Sequence, residues 1–205
     1  MNKGILVVVS GFSGAGKGTL MKRLMEKYEN YALSISVTTR PPREGEQDGR
    51  EYFFRSREEF EEWIEMDRFV EYAEYVDNYY GTPKEYVEER LKAGKDVILE
   101  IEIQGALKVK EKLPDTLLLF VSPPSAQELK RRLETRGTET PESIQNRLRR
   151  AGEEAKGILG YDYLLINDDL ETCTDVMHRI IQSEHYRMQR SREFAEKIVE
   201  ELKEL

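Results

Sequence analysis

The sequence predicts an α/β fold built on a central, mostly parallel sheet with helices on both faces. Three observations carry this. A β-branched run at Ile5–Val9 reads as a strand buried on both sides, and Val97–Ile103 and Thr116–Val121 read as further core strands. Between them lie stretches whose apolar residues recur at helical spacing. The first run passes into the first helix through a glycine-rich turn, Gly11–Thr19. The strands and helices of residues 1–33, 84–121 and 151–205 are assigned to this core. Residues 34–83 are read as an inserted β-rich lobe and residues 122–150 as a helical lid.

Taken in order, the first helix is expected from about Lys17 to Glu29, with Leu20, Leu24 and Met25 on one face and Asn30-Tyr31 breaking it. Leu33–Arg40 alternates apolar and hydroxyl residues and predicts one strand, stopped by Pro41-Pro42. Polar, glycine-punctuated Arg43–Arg50 is a loop. Glu51–Phe54 is a short strand. Ser56 opens a helix whose Phe60, Trp63 and Ile64 share a face, with Trp63 in the core of the small lobe. Phe69–Tyr75 alternates again, and Asp77-Asn78 turns the chain into Tyr79-Tyr80-Gly81-Thr82. Pro83 is read as the first residue of a helix that ends at Ala93 against Gly94.

The core strand Val97–Ile103 ends in two carboxylates one residue apart, Glu100 and Glu102, and Gln104-Gly105 opens the next helix. Ser122-Pro123-Pro124 marks a hinge-like boundary before an arginine-dense helical hairpin, with Thr140 as N-cap and Pro141 at the first helical position. Further hinges are expected near Leu33-Ser34 and Pro83. Tyr163–Ile166 is a last short strand. One long amphipathic helix is expected from Thr172, burying Val176, Ile180 and Ile181, with a highly charged end past about Arg192 that should fray.

Composition narrows the class. The 205 residues carry 32 basic and 40 acidic side chains, a net charge of −8, which argues against a nucleic-acid-coating protein. A polyphosphate site must then be built from locally clustered arginines. A hydrophobic fraction of 39% supports a sizeable core. The single Cys173 has no intrachain partner, so a reducing cytoplasm is expected. No stretch is long and apolar enough to be read as a membrane span.

Gly11-Phe12-Ser13-Gly14-Ala15-Gly16-Lys17-Gly18-Thr19 has the composition of a phosphate cradle. Its glycines let successive N–H groups point at an anion, the helix N-terminus adds positive partial charge, and Lys17 adds a full one. The loop resembles the P-loop of nucleoside-triphosphate-binding proteins. The hydroxyl that usually follows the lysine stands one residue late, at Thr19, because Gly18 takes its place. This Gly-Lys-Gly-Thr variant is similar to that of nucleoside monophosphate kinases, in which the metal is largely held through water.

Beyond the loop the chain holds Ser36–Glu46 with Arg40-Pro41-Pro42-Arg43, then Asn78–Thr82, Glu100–Gly105, Arg136-Gly137-Thr138-Glu139 and Ile166–Leu170. In this order and spacing, over nearly the whole chain, these resemble guanylate kinase. The resemblance implies a P-loop three-layer core with a GMP-binding lobe and a lid. It implies phosphoryl transfer from Mg-ATP to GMP or dGMP; charge and hydropathy separately lead to the expectation of no nucleic-acid or membrane partner, and a monomer or small homo-oligomer is expected.

Position by position, the resemblance places ATP on Gly11–Thr19. It places the GMP phosphate on Arg40, Arg43, Tyr52 and Tyr80, and guanine on Glu71, Thr82, Ser36 and Glu102. Lys17, Arg40, Arg132, Arg136 and Arg147 are implied as catalytic cations, with Thr19 and Glu100 near Mg²⁺ through water. The chemistry agrees. A phosphate dianion suits guanidinium forks, and a carboxylate can accept from guanine N1–H and its amine where adenine offers no such donor at N1. Arg131, Arg149 and Arg150 are read as solvent-facing or paired with glutamates. Asn167 and Asp168-Asp169 lie near the family's adenine position, with a helix-capping turn as the competing reading. His178 and His185 are read as packing or surface residues. Two rival functions fit less of the sequence: a catalytically silent guanylate-kinase-like module that binds proteins, and a sugar-phosphate kinase of the same fold.

Overall fold

The computed structural model describes residues 3–75, 77–135 and 140–205. Its elements, in chain order, begin β1 (Leu6–Gly11), α1 (Lys17–Lys27), β2 (Tyr31–Leu33), β3 (Val37–Thr38), β4 (Phe53–Phe54) and α2 (Arg57–Glu65). Next come β5 (Phe69–Tyr75), β6 (Asn78–Pro83), α3 (Lys84–Lys92), β7 (Asp96–Glu100), α4 (Ile103–Lys112) and β8 (Leu117–Ser122). The chain ends with α5 (Ala126–Thr135), α6 (Pro141–Glu154), a 3-10 turn at Ala155–Gly160, β9 (Tyr163–Ile166), α7 (Leu170–Glu184) and α8 (Arg192–Lys203).

The main sheet runs β2-β7-β1-β8-β9, every pair parallel. Side chains alternate across β1, so each face of the strand builds a different core. Val7 and Val9 pack with Leu20 and Leu24 of α1 and with Met177 and Ile181 of α7. Leu6 and Val8 pack with Val87 and Leu91 of α3 and with Ala106 and Val109 of α4. This is the three-layer α/β sandwich that the β-branched runs predict. Register matters for the site. Val9 lies opposite Glu100 on one side and Leu119 on the other, so β1 and β7 deliver Gly11 and Glu100 to the same C-terminal edge.

The second sheet, β4-β3-β6-β5, is antiparallel except for β3 with β4. Its core is small and aromatic: buried Val37, Phe60 and Phe69, flanked by Phe53, Trp63, Ile64 and Tyr79. Phe60 stacks on Phe69 and Tyr79 at ring separations of 4.4 and 5.1 Å. Gly81 is required here, because a Cβ would come within 2.8 Å of Phe69 and 3.0 Å of Phe60. α2 is fixed at its start by a reciprocal capping box between Ser56 and Glu59.

Several sequence expectations need correction. α1 stops at Lys27, two residues short of Glu29, and Tyr31 already belongs to β2. The single strand expected over Leu33–Arg40 is two strands in different sheets. β2 ends at Leu33 on β7, and the chain crosses to the other sheet before β3. Of the strand expected at Glu51–Phe54, only Phe53–Phe54 pairs continuously, while Tyr52 makes an isolated bridge to Asp48. Pro83 is the N-cap of α3 and the last residue of β6, not the first helical residue. Gly94, at φ +80°, ends α3 as expected, with its N–H on Leu91 and that of Lys95 on Arg90.

β7 ends at Glu100, so Ile103 opens α4 instead of closing a strand. The long helix expected from Thr172 is two, α7 and α8, separated at 185–191. His185 at that break lies 2.9 Å from buried Asp96, which also accepts from the Ile5 N–H. His178 stacks on Tyr28 and pairs with the Tyr31 hydroxyl at 2.7 Å. Both histidines therefore serve packing. Cys173 lies on the buried face of α7, and burial pushes its thiol up to about 11.

Candidate active site

The glycine loop curls at two left-handed positions, Gly14 at φ +97° and Gly16 at φ +87°. α1 begins directly on Gly16 with no side-chain cap and no acidic residue in its first turn. The positive end of its dipole thus faces the loop with no carboxylate in the first turn to offset it. Lys17 folds back over the loop, its Nζ 2.8 Å from the Gly11 carbonyl oxygen. Gly11 sits so close to β8 that a Cβ would meet the Val121 carbonyl oxygen at 2.2 Å.

Asn167, just after β9, locks the loop from behind. Its buried Nδ2 donates to the Ala15 carbonyl at 2.8 Å, and its own carbonyl accepts from Arg132 of α5 at 2.8 Å. The cap of α7 is Asp169, whose carboxylate accepts from the Thr172 N–H. The capping reading thus holds for Asp169, while Asn167 is a brace between the glycine loop and α5. Arg132 is held by Glu128, whose carboxyl is brought down to about 2 by hydrogen bonds from Arg131 and Arg132. Arg147 of α6 hydrogen-bonds Ser13 of the loop. Lys17 and Arg147 thus contact the loop directly, while Arg132 meets it only through Asn167. Arg136 lies outside the described residues.

A cavity of about 740 Å³ opens over this loop, lined among others by Gly11, Ser13, Lys17, Glu100, Glu102 and Arg147. A second, of about 400 Å³, is lined by Ser34, Ser36, Glu51, Tyr52 and Thr82. Glu100 and Ile101 line both, so the two cavities meet at the end of β7.

Around the second cavity, Tyr52 and Tyr80 pack edge to face at 6.0 Å, and the Arg40 guanidinium lies 5.5 Å from the Tyr52 ring centre. Arg43 is exposed on the same loop. Glu71 of β5 faces Thr82 of β6 in register, and the Thr82 hydroxyl donates to its carboxylate at 2.8 Å. Burial pushes the Glu71 carboxyl above the ordinary carboxylate range, against the hydrogen bond from Thr82. Glu102 stands apart from this set. It lines the larger cavity, and Arg150 of α6 binds it at 2.6 Å.

For a metal, the loop offers hard oxygens only. Gly18 carries no hydroxyl, Thr19 is exposed in the first turn of α1, and Glu100 is exposed at the cavity edge. Among the described residues, no three His, Cys, Asp or Glu side chains cluster as a metal cage. This donor set fits Mg²⁺ that keeps most of its waters and meets phosphate oxygens directly.

Sequence reasoning did not single out Glu128 or Glu46, and it left the role of Asn167 open. Glu46 contacts Arg40 and Arg43 and lies inside the Arg-Pro-Pro-Arg-Glu-Gly-Glu segment that had already been marked. Its spacing from Arg40 was the available signal. Nothing local to residue 167 or 128 points at residue 15 or 132.

Comparison with known proteins agrees with this geometry. Residues 3–184 match the family model described as guanylate kinase. A guanylate kinase of Caldanaerobacter subterraneus subsp. tengcongensis is 51% identical over 199 residues, covering 97% of each chain. One from Lactococcus lactis is 50% identical over 188 residues, 92% of each chain. The crystal structure of guanylate kinase from Anaplasma phagocytophilum superposes with a TM-score of 0.71 at 33% identity, covering 92% of this chain and 90% of that one.

Proposed function

The chain belongs to the guanylate kinase family, and we propose that it transfers the γ-phosphoryl group of ATP to GMP or dGMP, giving ADP and GDP or dGDP. The observation that carries this reading is the pair of cavities joined at Glu100, one under a glycine cradle with Lys17, the other beside Arg40 and the Glu71–Thr82 pair.

In this reading the loop N–H groups and Lys17 hold the β- and γ-phosphates of ATP. Arg40, Arg43, Tyr52 and Tyr80 hold the GMP phosphate. A GMP phosphate oxygen attacks the γ-phosphorus as the bond to the β,γ-bridging oxygen breaks, and ADP leaves. At neutral pH that phosphate is already ionised, so no general base is required. Negative charge on the moving group is met by Lys17, Arg132, Arg136 and Arg147. Thr19 and Glu100 would hold Mg²⁺ arriving with ATP through water, and the ion would supply further charge neutralisation.

Glu71 accepts from guanine N1–H and the exocyclic amine, and Thr82 and Ser36 complete the base contacts; Glu102, held by Arg150 on the larger cavity, has to leave that pair to reach the base. Adenine would leave Glu71 unpaired, which costs about 10⁴-fold in discrimination. Arg147 reaching the loop from α6, and Arg132 of α5 bonding the Asn167 that braces it, favour an enzyme over a silent binding module. The test is ADP release with Mg-ATP and a panel of GMP, dGMP, AMP, UMP and IMP. Turnover with GMP and dGMP, and little with AMP, is expected; absence of turnover with GMP overturns the reading.

A further inference from the structure

We propose that Glu46 is a positioning residue that fixes both arginines of the acceptor-phosphate site before GMP arrives; this rests on the reading of Arg40 and Arg43 given above. The geometry starts in the backbone. Gly45, at φ +86°, turns the chain so that the Glu46 N–H reaches the Arg43 carbonyl at 3.1 Å. The same turn brings the Glu46 carboxylate back onto the Arg43 N–H at 2.7 Å. Residues 43 and 46 thus close a reciprocal ring, and this sets where Arg43 leaves the backbone.

The carboxylate also grips Arg40. Its two oxygens each accept from Arg40 Nη2 at 2.9 Å, while Nη1 donates to the Pro41 carbonyl at 2.7 Å. The guanidinium plane lies beside the rings of Tyr52 and Phe54, 5.5 and 5.9 Å from their centres. The Arg40 and Glu46 side chains are only 14% and 17% exposed, so the pair is sheltered from solvent screening. Arg40 is held along one edge by protein acceptors and across its face by two rings. This is how a flexible side chain is made rigid ahead of binding.

Electrostatics alone predicts the opposite effect. Deleting Glu46 removes a negative charge beside a phosphate site, which should tighten GMP. Positioning predicts that GMP weakens. Steady-state kinetics on Glu46→Ala and Glu46→Asp separates the two. The Ala variant should raise the KM for GMP by about 10- to 100-fold, leave the KM for ATP and the melting temperature near wild type, and be partly rescued in the Asp variant. An unchanged or lowered KM for GMP overturns the proposal, as does an equal rise in both KM values, which marks general damage. Should the Ala variant fail to fold, the Asp variant carries the same test, with a KM for GMP raised selectively over that for ATP. A wild-type chain inert toward GMP would instead overturn the assignment of the acceptor site itself.

Discussion

Burying a carboxylate destabilises a fold unless its charge is met, and Glu71 has a single neutral hydroxyl, Thr82, donating to it. Its raised pKa has a definite sign in stability. The native state holds the proton more tightly than the unfolded chain, so the contribution is full below the unfolded-state pKa and is lost as pH rises through the folded one. At neutral pH the ionised carboxylate therefore works against stability, a cost that the proposed guanine contact would offset. Glu71→Gln is expected to leave the apo melting temperature unchanged or raised at pH 7, while raising the KM for GMP at least about 10²-fold. Calorimetry beside initial rates checks both halves. The wild-type KM for GMP should climb as pH falls and Glu71 takes a proton, and the Gln variant should keep only the part of that acid limb that belongs to the GMP phosphate. At Lys17, removal of the charge that lies against the loop carbonyls should cost orders of magnitude in turnover with circular dichroism unchanged. Wild-type rates in Lys17→Ala would refute its role.

The elements show which physical signals a sequence carries. Continuous apolar runs placed β1 and β8, the 3.6 period placed α2, and the Thr140-Pro141 cap placed the start of α6, because in each case the signal is local. The glycine cradle was legible because its chemistry is local. β2 and β3 ran together because Leu33–Arg40 alternates without a glycine or proline until Pro41, and alternation cannot say which sheet a strand joins. The break between α7 and α8 was hidden likewise, since no glycine or proline lies in 185–191 and the stop coincides with a contact from His185 to Asp96 on a distant strand. Asn167 is another long-range case. Asn167→Ala should remove the buried bond to Ala15, cost about 1–3 kcal/mol of stability and raise the KM for ATP more than that for GMP; equal effects on both nucleotides would speak against its brace role. In the second sheet, Phe60→Ala should destabilise the chain by about 3–5 kcal/mol, because Phe60 is fully buried between Phe69 and Tyr79. Chemical denaturation measures it.

At the scale of the molecule, the proposed reaction needs both nucleotides enclosed, since water at the γ-phosphate competes with GMP. The two cavities share Glu100 and Ile101, and the chain changes sheet between Leu33 and Val37 and again after Pro83. We propose these crossings, with Ser122–Pro124, as the hinges on which the small lobe and the α5–α6 hairpin close. Small-angle scattering should then give a smaller radius of gyration with GMP and a non-hydrolysable ATP analogue together than without ligands; equal values would contradict closure.

All these roles assume two anion sites set end to end across the C-terminal edge of the main sheet. A crystal structure with GMP and a non-hydrolysable ATP analogue tests this most directly. The acceptor phosphate should lie within hydrogen-bond reach of Arg40 and Arg43, guanine against Glu71 and Thr82, and the triphosphate in the Gly11–Thr19 loop. A monophosphate seated anywhere else would contradict the account.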